Sequence, residues 1–200
     1  MRSFPFFRQL DAKDCGPACL RMISKYHGKS FSIQTLRERS HISRQGVSLV
    51  GISEAAESIG FRSIGVRLSW DQLMTQASFP CIAHWDQKHF VVIYKISKNK
   101  VHVADPAIGK ITYTKKEFIK YWISSTRDGE DEGICLLFEP TPAFFEYEEE
   151  KIKRGSFSFL FQYLRPHKKL IIQLIVGMLA GSLVLLILPF LTQAIVDIGI

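Results

Sequence analysis

The sequence predicts an α+β domain, with helices first and an antiparallel sheet second, followed by an amphipathic helix and a transmembrane helix. Helical patterns fill the first third of the chain, whereas runs rich in β-branched and aromatic residues dominate from residue 61 to residue 138. The segment from Leu170 to Thr192 is almost wholly apolar. A run of about 20 apolar residues can span a bilayer, whereas buried core helices are usually shorter.

Three helices are predicted ahead of the sheet. The first begins at Cys15-Gly16-Pro17, with Pro17 near the first turn and Gly28 just past the end. A short helix follows at residues 34–39. A longer one is expected at residues 49–59, because Ser48 can cap its start and Gly60 can end it.

Strands are predicted at residues 61–67, 81–85, 89–96, 100–104, 109–113 and 133–138. The third and fourth strands flank Lys98-Asn99, which favours a hairpin. Short helices are expected between strands, because Ser69 with Gln72 and Thr114 with Glu117 have the spacing of capping boxes.

The same pattern divides the chain of 200 residues into one domain and an appendage. We predict a globular domain at 1–139, a linker at 140–155 and a membrane segment at 156–200. The Pro-containing stretch after Phe138 and the acidic run that follows break the regular pattern and indicate the linker. Residues 156–168 carry interleaved aromatic side chains, which favour a helix on the membrane surface.

The formal net charge is +7, which suits either nucleic acid or an anionic membrane surface. Six basic residues lie just ahead of the apolar run: Lys151, Lys153, Arg154, Arg165, Lys168 and Lys169. By the positive-inside rule, this places the amino-terminal domain in the cytosol. There is no nucleic-acid motif, so we expect no nucleic-acid partner. In the reducing cytosol the four cysteines are not expected to form structural disulfides.

Cys15 is a candidate nucleophile because it opens the first predicted helix, where backbone amides and the helix dipole favour a thiolate. An isolated cysteine is more often a small buried packing residue, so the position alone does not decide. Cys19 lies one helical turn further and is expected to be structural. A Cys-x-x-x-Cys pair without a second ligand pair is a poor zinc signal.

Three further residues could complete a cysteine-peptidase site. His89 opens an apolar strand and Asp105 ends the partner strand, so a hairpin would bring them to the same end of the ladder. A carboxylate there would orient the imidazole. Gln9 could donate a hydrogen bond to the oxyanion of a tetrahedral intermediate. Taken singly, a histidine beside a strand is more often structural, an Asp-Pro pair is typical of turns, and Gln9 is a polar surface residue.

Five short motifs occur in order along the chain: Gln9-Leu10-Asp11, Asp14-Cys15-Gly16-Pro17-Ala18-Cys19-Leu20, Gly46-Val47-Ser48, His89-Phe90-Val91-Val92, and Ala104-Asp105-Pro106 with Gly109. Together they resemble the peptidase domain of peptidase-containing ABC transporters, over about residues 4–138. That family is papain-like in fold. The resemblance implies that Cys15 is the nucleophile, His89 the general base, Asp105 its orienting partner and Gln9 the oxyanion donor.

The resemblance also implies a function. Such proteins are cysteine endopeptidases that remove the leader of bacteriocins and related peptides after a double-glycine site, before exporting them. We therefore expect a leader-bearing peptide substrate, and a homodimer within a transporter of the bacterial plasma membrane. The protein would be multi-pass if the chain continues, and residues 155–200 are similar to the exporter's first membrane helix.

No phosphate-loop motif occurs in the chain, so ATP is expected only if a nucleotide-binding domain follows Ile200. No other cofactor and no metal is expected. Two alternatives remain open: a non-catalytic domain that docks substrate for a transporter, and a papain-like acyltransferase.

Overall fold

The computed structural model describes residues 3–43, 46–98, 100–127, 129–147 and 168–198. The chain divides into two compact units, residues 1–152 and 153–200. Half of the predicted linker, residues 148–155, and residues 156–167 of the helix predicted on the membrane surface lie outside the described residues.

The described part of the first unit contains six α-helices: α1 (Cys15–Tyr26), α2 (Ile33–Arg39), α3 (Leu49–Ser58), α4 (Trp70–Gln76), α5 (Lys115–Trp122) and α6 (Pro142–Glu146). The predicted helix starts are confirmed, because the Ser48 side chain caps α3 and both capping boxes form, at α4 and at α5. These local hydrogen bonds satisfy backbone amides that have no partner within the helix.

Seven strands are described: β1 (Phe61–Ser69), β2 (Cys81–Trp85), β3 (His89–Ser97), β4 (Lys100–Asp105), β5 (Gly109–Thr114), β6 (Ile123–Arg127) and β7 (Glu130–Pro140). They form one sheet in the order β1-β7-β2-β3-β4-β5, and β6 pairs with the first residues of β7. Every pairing is antiparallel. The predicted β3–β4 hairpin is confirmed, although Asn99 in its turn lies outside the described residues.

Two hydrophobic cores lie on opposite faces of the sheet. Phe90 and Val92 point into the first core, with residues of α1, α2 and α3, whereas Val91 and Ile93 point into the second, with residues of α4 and α5. Because both faces are covered, the central strands are continuous apolar runs rather than the alternating pattern usual in antiparallel sheets. The predicted α+β order, helices packed on an antiparallel sheet, is therefore confirmed.

Two elements differ from the prediction. The first residues of the predicted linker form α6, and its Phe144 is fully buried in the first core. Strand β6 was not predicted, because its Ser-Ser-Thr centre lacks the apolar residues that mark a buried strand. Both segments gain their structure from contacts with β7 and the core rather than from local propensity.

The second unit contains one described helix, α7 (Lys168–Ile198), with Pro189 inside it. Within the residues that the structure describes, no helix meets the length and hydropathy needed to cross a membrane. The transmembrane helix therefore stays a prediction.

Candidate active site

Cys15 is the first residue of α1 and follows directly on a 3-10 turn, Ala12–Asp14. Its side chain is buried, with 5% of the residue exposed. The next residue lets α1 approach α3 closely, because a Cβ on Gly16 would lie 2.6 Å from side-chain carbons of Val47 and Ile52. The thiol is thus held at a helix start that is packed against the rest of the domain.

The residue before the thiol is a buried carboxylate. Asp14 accepts a hydrogen bond from the Asp11 backbone N–H at 3.1 Å, and its other oxygen forms an ion pair with Nε of Arg37 at 3.0 Å. A buried charge has to be paired, so Arg37 of α2 stabilises the turn that leads into Cys15. Sequence reasoning gave Asp14 no role. An acidic residue at a helix start was a visible signal, but its partner on another helix was not.

His89 and Asp105 meet at one end of the β3–β4 hairpin, as predicted. His89 Nε2 lies 2.8 Å from Asp105 Oδ1, and the two side chains are 20% and 4% exposed. The same carboxylate oxygen accepts a hydrogen bond from the Ala107 backbone N–H at 2.8 Å. Since Val92 lies opposite Ala104, continuing the register puts Asp105 opposite Val91, diagonally from His89.

The thiol of Cys15 also lies near enough to this ring to affect the pKa of His89. Burial lowers the pKa of His89, but its hydrogen bonds to Asp105 and Cys15 and their charges outweigh burial and raise the pKa to about 9. For Asp105, burial raises the pKa, but the hydrogen bonds from His89 and the Ala107 backbone prevail and lower it. At neutral pH the pair is therefore an imidazolium and a carboxylate.

Gln9 lies beside this pair. Its backbone N–H donates to the Pro106 carbonyl at 2.9 Å, which fixes the amino-terminal segment against the loop after β4. Within the described part of the chain, its buried Oε1 has no hydrogen-bond partner. The structure therefore brings Cys15 near the hydrogen-bonded pair of His89 and Asp105, and sets Gln9 against the loop that carries Asp105.

The other three cysteines, Cys19, Cys81 and Cys135, are fully buried and are not joined by disulfides. Within the described ranges, no group of three His, Cys, Asp or Glu residues could hold a metal ion. A thiol at a helix start and, near it, an imidazole bonded to a carboxylate are the kinds of group with which cysteine peptidases attack an amide. These are the residue types that thiol hydrolases use.

Comparison with known proteins gives the family. The profile of the Peptidase C39 family matches residues 3–126. The chain belongs to the Peptidase C39 family, a family of peptidases, and this confirms the resemblance noted in its motifs.

Two curated relatives illustrate the likeness. The chain is 30% identical to the probable microcin-H47 secretion/processing ATP-binding protein MchF of Escherichia coli, over 98% of this chain and 26% of that protein. It is 36% identical to the lactococcin-G-processing and transport ATP-binding protein LagD of Lactococcus lactis subsp. lactis, over 82% of this chain and 22% of that protein. The chain therefore spans about a quarter of the length of these relatives.

Two solved structures share the fold. The first is a double glycine motif protease from an AMS/PCAT transporter in complex with the leader peptide, with a TM-score of 0.61 and 32% identity over 70% of this chain and 93% of that one. The second is the peptidase domain of Streptococcus ComA, a bi-functional ABC transporter, with a TM-score of 0.59 and 26% identity over 70% of this chain and all of that one.

Proposed function

We propose that this chain is a cysteine endopeptidase that cleaves the leader of a peptide substrate after a double-glycine site, coupled to export of the peptide by an ABC-type transporter. The observation that carries the proposal is the grouping of Cys15 with the hydrogen-bonded pair of His89 and Asp105. The names of the relatives support it, since they are a microcin-H47 secretion/processing protein and a lactococcin-G-processing and transport protein, and one structural neighbour is a protease in complex with a leader peptide.

In this mechanism the thiolate of Cys15 attacks the carbonyl carbon of the second glycine. The protonated ring of His89 stabilises the thiolate beforehand and then gives its proton to the leaving amine, while Asp105 holds the ring in place. The amide of Gln9 donates a hydrogen bond to the oxyanion. Water, deprotonated by the now neutral His89, then attacks the thioester and releases the leader with a free carboxylate.

A groove beside the site supplies a place for the peptide. It has a volume of about 450 Å³. Its lining combines the apolar side chains of Val47, Leu49, Phe90 and Ile134 with polar ones that include His84, Gln87 and Lys88. Val47 lies against Gly16, next to the nucleophile, and Phe90 follows His89 in β3. In this proposal, a leader with apolar side chains lies along the groove and its glycines enter the narrow space at Cys15.

The proposal extends to the membrane. Helix α7 is the first transmembrane helix of the exporter, the peptidase domain lies on the cytoplasmic side, and two copies assemble as part of the transporter. The basic residues ahead of the apolar run and the names of the relatives as secretion and transport proteins support this reading. ATP enters only if a nucleotide-binding domain follows Ile200.

A synthetic peptide with a leader, a Gly-Gly site and a short core tests the proposal. Wild-type chain is expected to release a free leader and a core with a new amino terminus, both identified by mass spectrometry. Cys15→Ala should lower the cleavage rate at least about 1,000-fold, because the nucleophile is gone. Cys135→Ala is the matched control: it removes a buried thiol of the second core and should leave cleavage within several-fold of wild type.

Cleavage that persists in Cys15→Ala would refute the assignment. The same reaction separates the two alternatives. A docking domain would bind the peptide and leave it intact. A papain-like acyltransferase acting on a small acyl donor would give neither a free leader nor a core peptide with a new amino terminus.

A further inference from the structure

Cys19 makes a long-range hydrogen bond inside the site. Its thiol lies one helical turn after Cys15 on α1, is fully buried, and donates to the carbonyl oxygen of Phe90 at a sulfur–oxygen distance of 3.3 Å. Phe90 is the residue that follows His89 in β3. The contact therefore joins the helix that carries the nucleophile to the strand that carries the base.

The thiol of Cys19 is suited to act as a permanent donor. Burial raises its pKa well above the ordinary value, and the nearby negative charges of Cys15 and Asp105 raise it further. The group therefore stays protonated at neutral pH, and it cannot compete as a nucleophile. A neutral S–H is a weak donor, yet a buried carbonyl that loses its partner costs free energy.

The position of this contact matters for the alignment of the reacting groups. Reacting groups must be held within about 0.5 Å of their productive arrangement, and a misplacement of about 1 Å can cost 100-fold in rate. On the β3 side, Asp105 fixes the ring of His89 from the neighbouring strand. On the α1 side, the distance from the Cys15 sulfur to the His89 ring depends on how closely α1 lies against β3. The hydrogen bond of Cys19 joins these two elements directly.

We propose that Cys19 is a positioning residue for the active site: its thiol, by bonding to the Phe90 carbonyl, sets the spacing between α1 and β3 and so keeps Cys15 in contact with His89. The effect of Cys19 on cleavage rests on the proposed function, whereas its effect on the contact between Cys15 and His89 does not. It goes beyond a packing role, which would require only a small apolar side chain at this place.

Three variants of the full chain test the proposal. Cys19→Ala removes the donor, Cys19→Ser keeps a donor of similar size, and Ser24→Ala removes a different buried donor from the same helix. Ser24 bonds to the Leu20 carbonyl within α1 and makes no bridge to β3, so it controls for lost stability. A second donor-less variant, Cys19→Val, covers the case that the alanine variant fails to fold.

With the leader peptide as substrate, Cys19→Ala should lower kcat about 10-fold or more while KM stays within about two-fold, because alignment is lost and binding is not. Cys19→Ser should recover most of kcat, and Ser24→Ala should keep it. A loss that falls on KM, a loss of equal size in Ser24→Ala, or no rescue by serine would overturn the proposal.

A readout without substrate separates this proposal from the proposed function. The ring of His89 is titrated by NMR in each variant, since contact with Cys15 contributes to its raised pKa. The midpoint should fall in Cys19→Ala and be retained in Cys19→Ser. If it falls but no variant cleaves leader peptides, only the proposed function fails; if it is unchanged in both donor-less variants, only the positioning role fails.

Discussion

The protonation of His89 is set by opposing effects at the scale of single residues. Burial favours the neutral ring, whereas contact with Asp105 and Cys15 favours the imidazolium and raises the pKa to about 9. The ring therefore holds a proton at neutral pH and can supply it to a leaving amine. Without the Asp105 carboxylate, the largest effect that raises the pKa of His89 would be missing, and burial would lower the pKa.

Asp105→Asn should therefore lower the NMR titration midpoint of His89 by more than one pH unit. It should also change how stability depends on pH. The folded-state pKa of about 9 lies above the unfolded value of about 6.5, so the wild-type interaction is fully present below pH 6.5 and is lost as pH rises through 9.

Urea unfolding checks this second effect. Between pH 6.5 and 9.5, wild type should lose on the order of 1 kcal/mol more unfolding free energy than Asp105→Asn does, after allowance for solvent screening. Equal slopes for the two proteins, or an unmoved His89 titration in the variant, would contradict the assignment of Asp105.

Helix α6 lies beyond residue 139, the predicted end of the domain, and packs on the first core. Phe144 packs against Phe61 with ring centroids 4.3 Å apart, and Gly60, at a φ of +92°, approaches the Phe144 backbone so closely that a Cβ would collide with it. The Tyr147 carbonyl accepts a hydrogen bond from Nζ of Lys29 at 2.8 Å. Residues 142–147 therefore belong to the folded domain rather than to a free linker.

The neighbouring phenylalanine provides a matched control for this packing. Phe144→Ala should lower the free energy of unfolding by about 3 kcal/mol or more, because it empties a fully buried site. Phe145 is 56% exposed, and Phe145→Ala should change stability by less than about 0.5 kcal/mol. Equal effects of the two changes, measured by urea unfolding, would show that α6 does not pack as described.

Local sequence signals predict most of the helices and strands. Long-range contacts determine the elements that these signals miss. Helix starts are predicted at Ser48, Ser69 and Thr114, because a capping hydrogen bond involves only three or four adjacent residues. The polar strand β6 and helix α6 carry no such signal, since β7 and the first core determine their structure. The element boundaries also moved where pairing extends a strand, as in β7, which begins at Glu130.

At the scale of the whole molecule, the site is assembled from separate parts of the chain. Cys15 comes from α1, His89 from β3 and Asp105 from β4. The meeting of His89 and Asp105 follows from one hairpin and was predictable from it. Packing of α1 against β3 joins residues far apart in sequence, so only the resemblance to a family, and not local pattern, predicted that Cys15 and His89 would meet.

Active-site labelling tests the central claim most directly. A leader peptide that ends in glycyl-glycine chloromethyl ketone is incubated with the full chain, and the adduct is located by peptide mapping. The account predicts one adduct, on Cys15, formed at least about 100-fold more slowly in His89→Ala. The other three cysteines, which are fully buried, should stay unlabelled. Labelling on another residue, or a rate on Cys15 that does not depend on His89, would contradict the account.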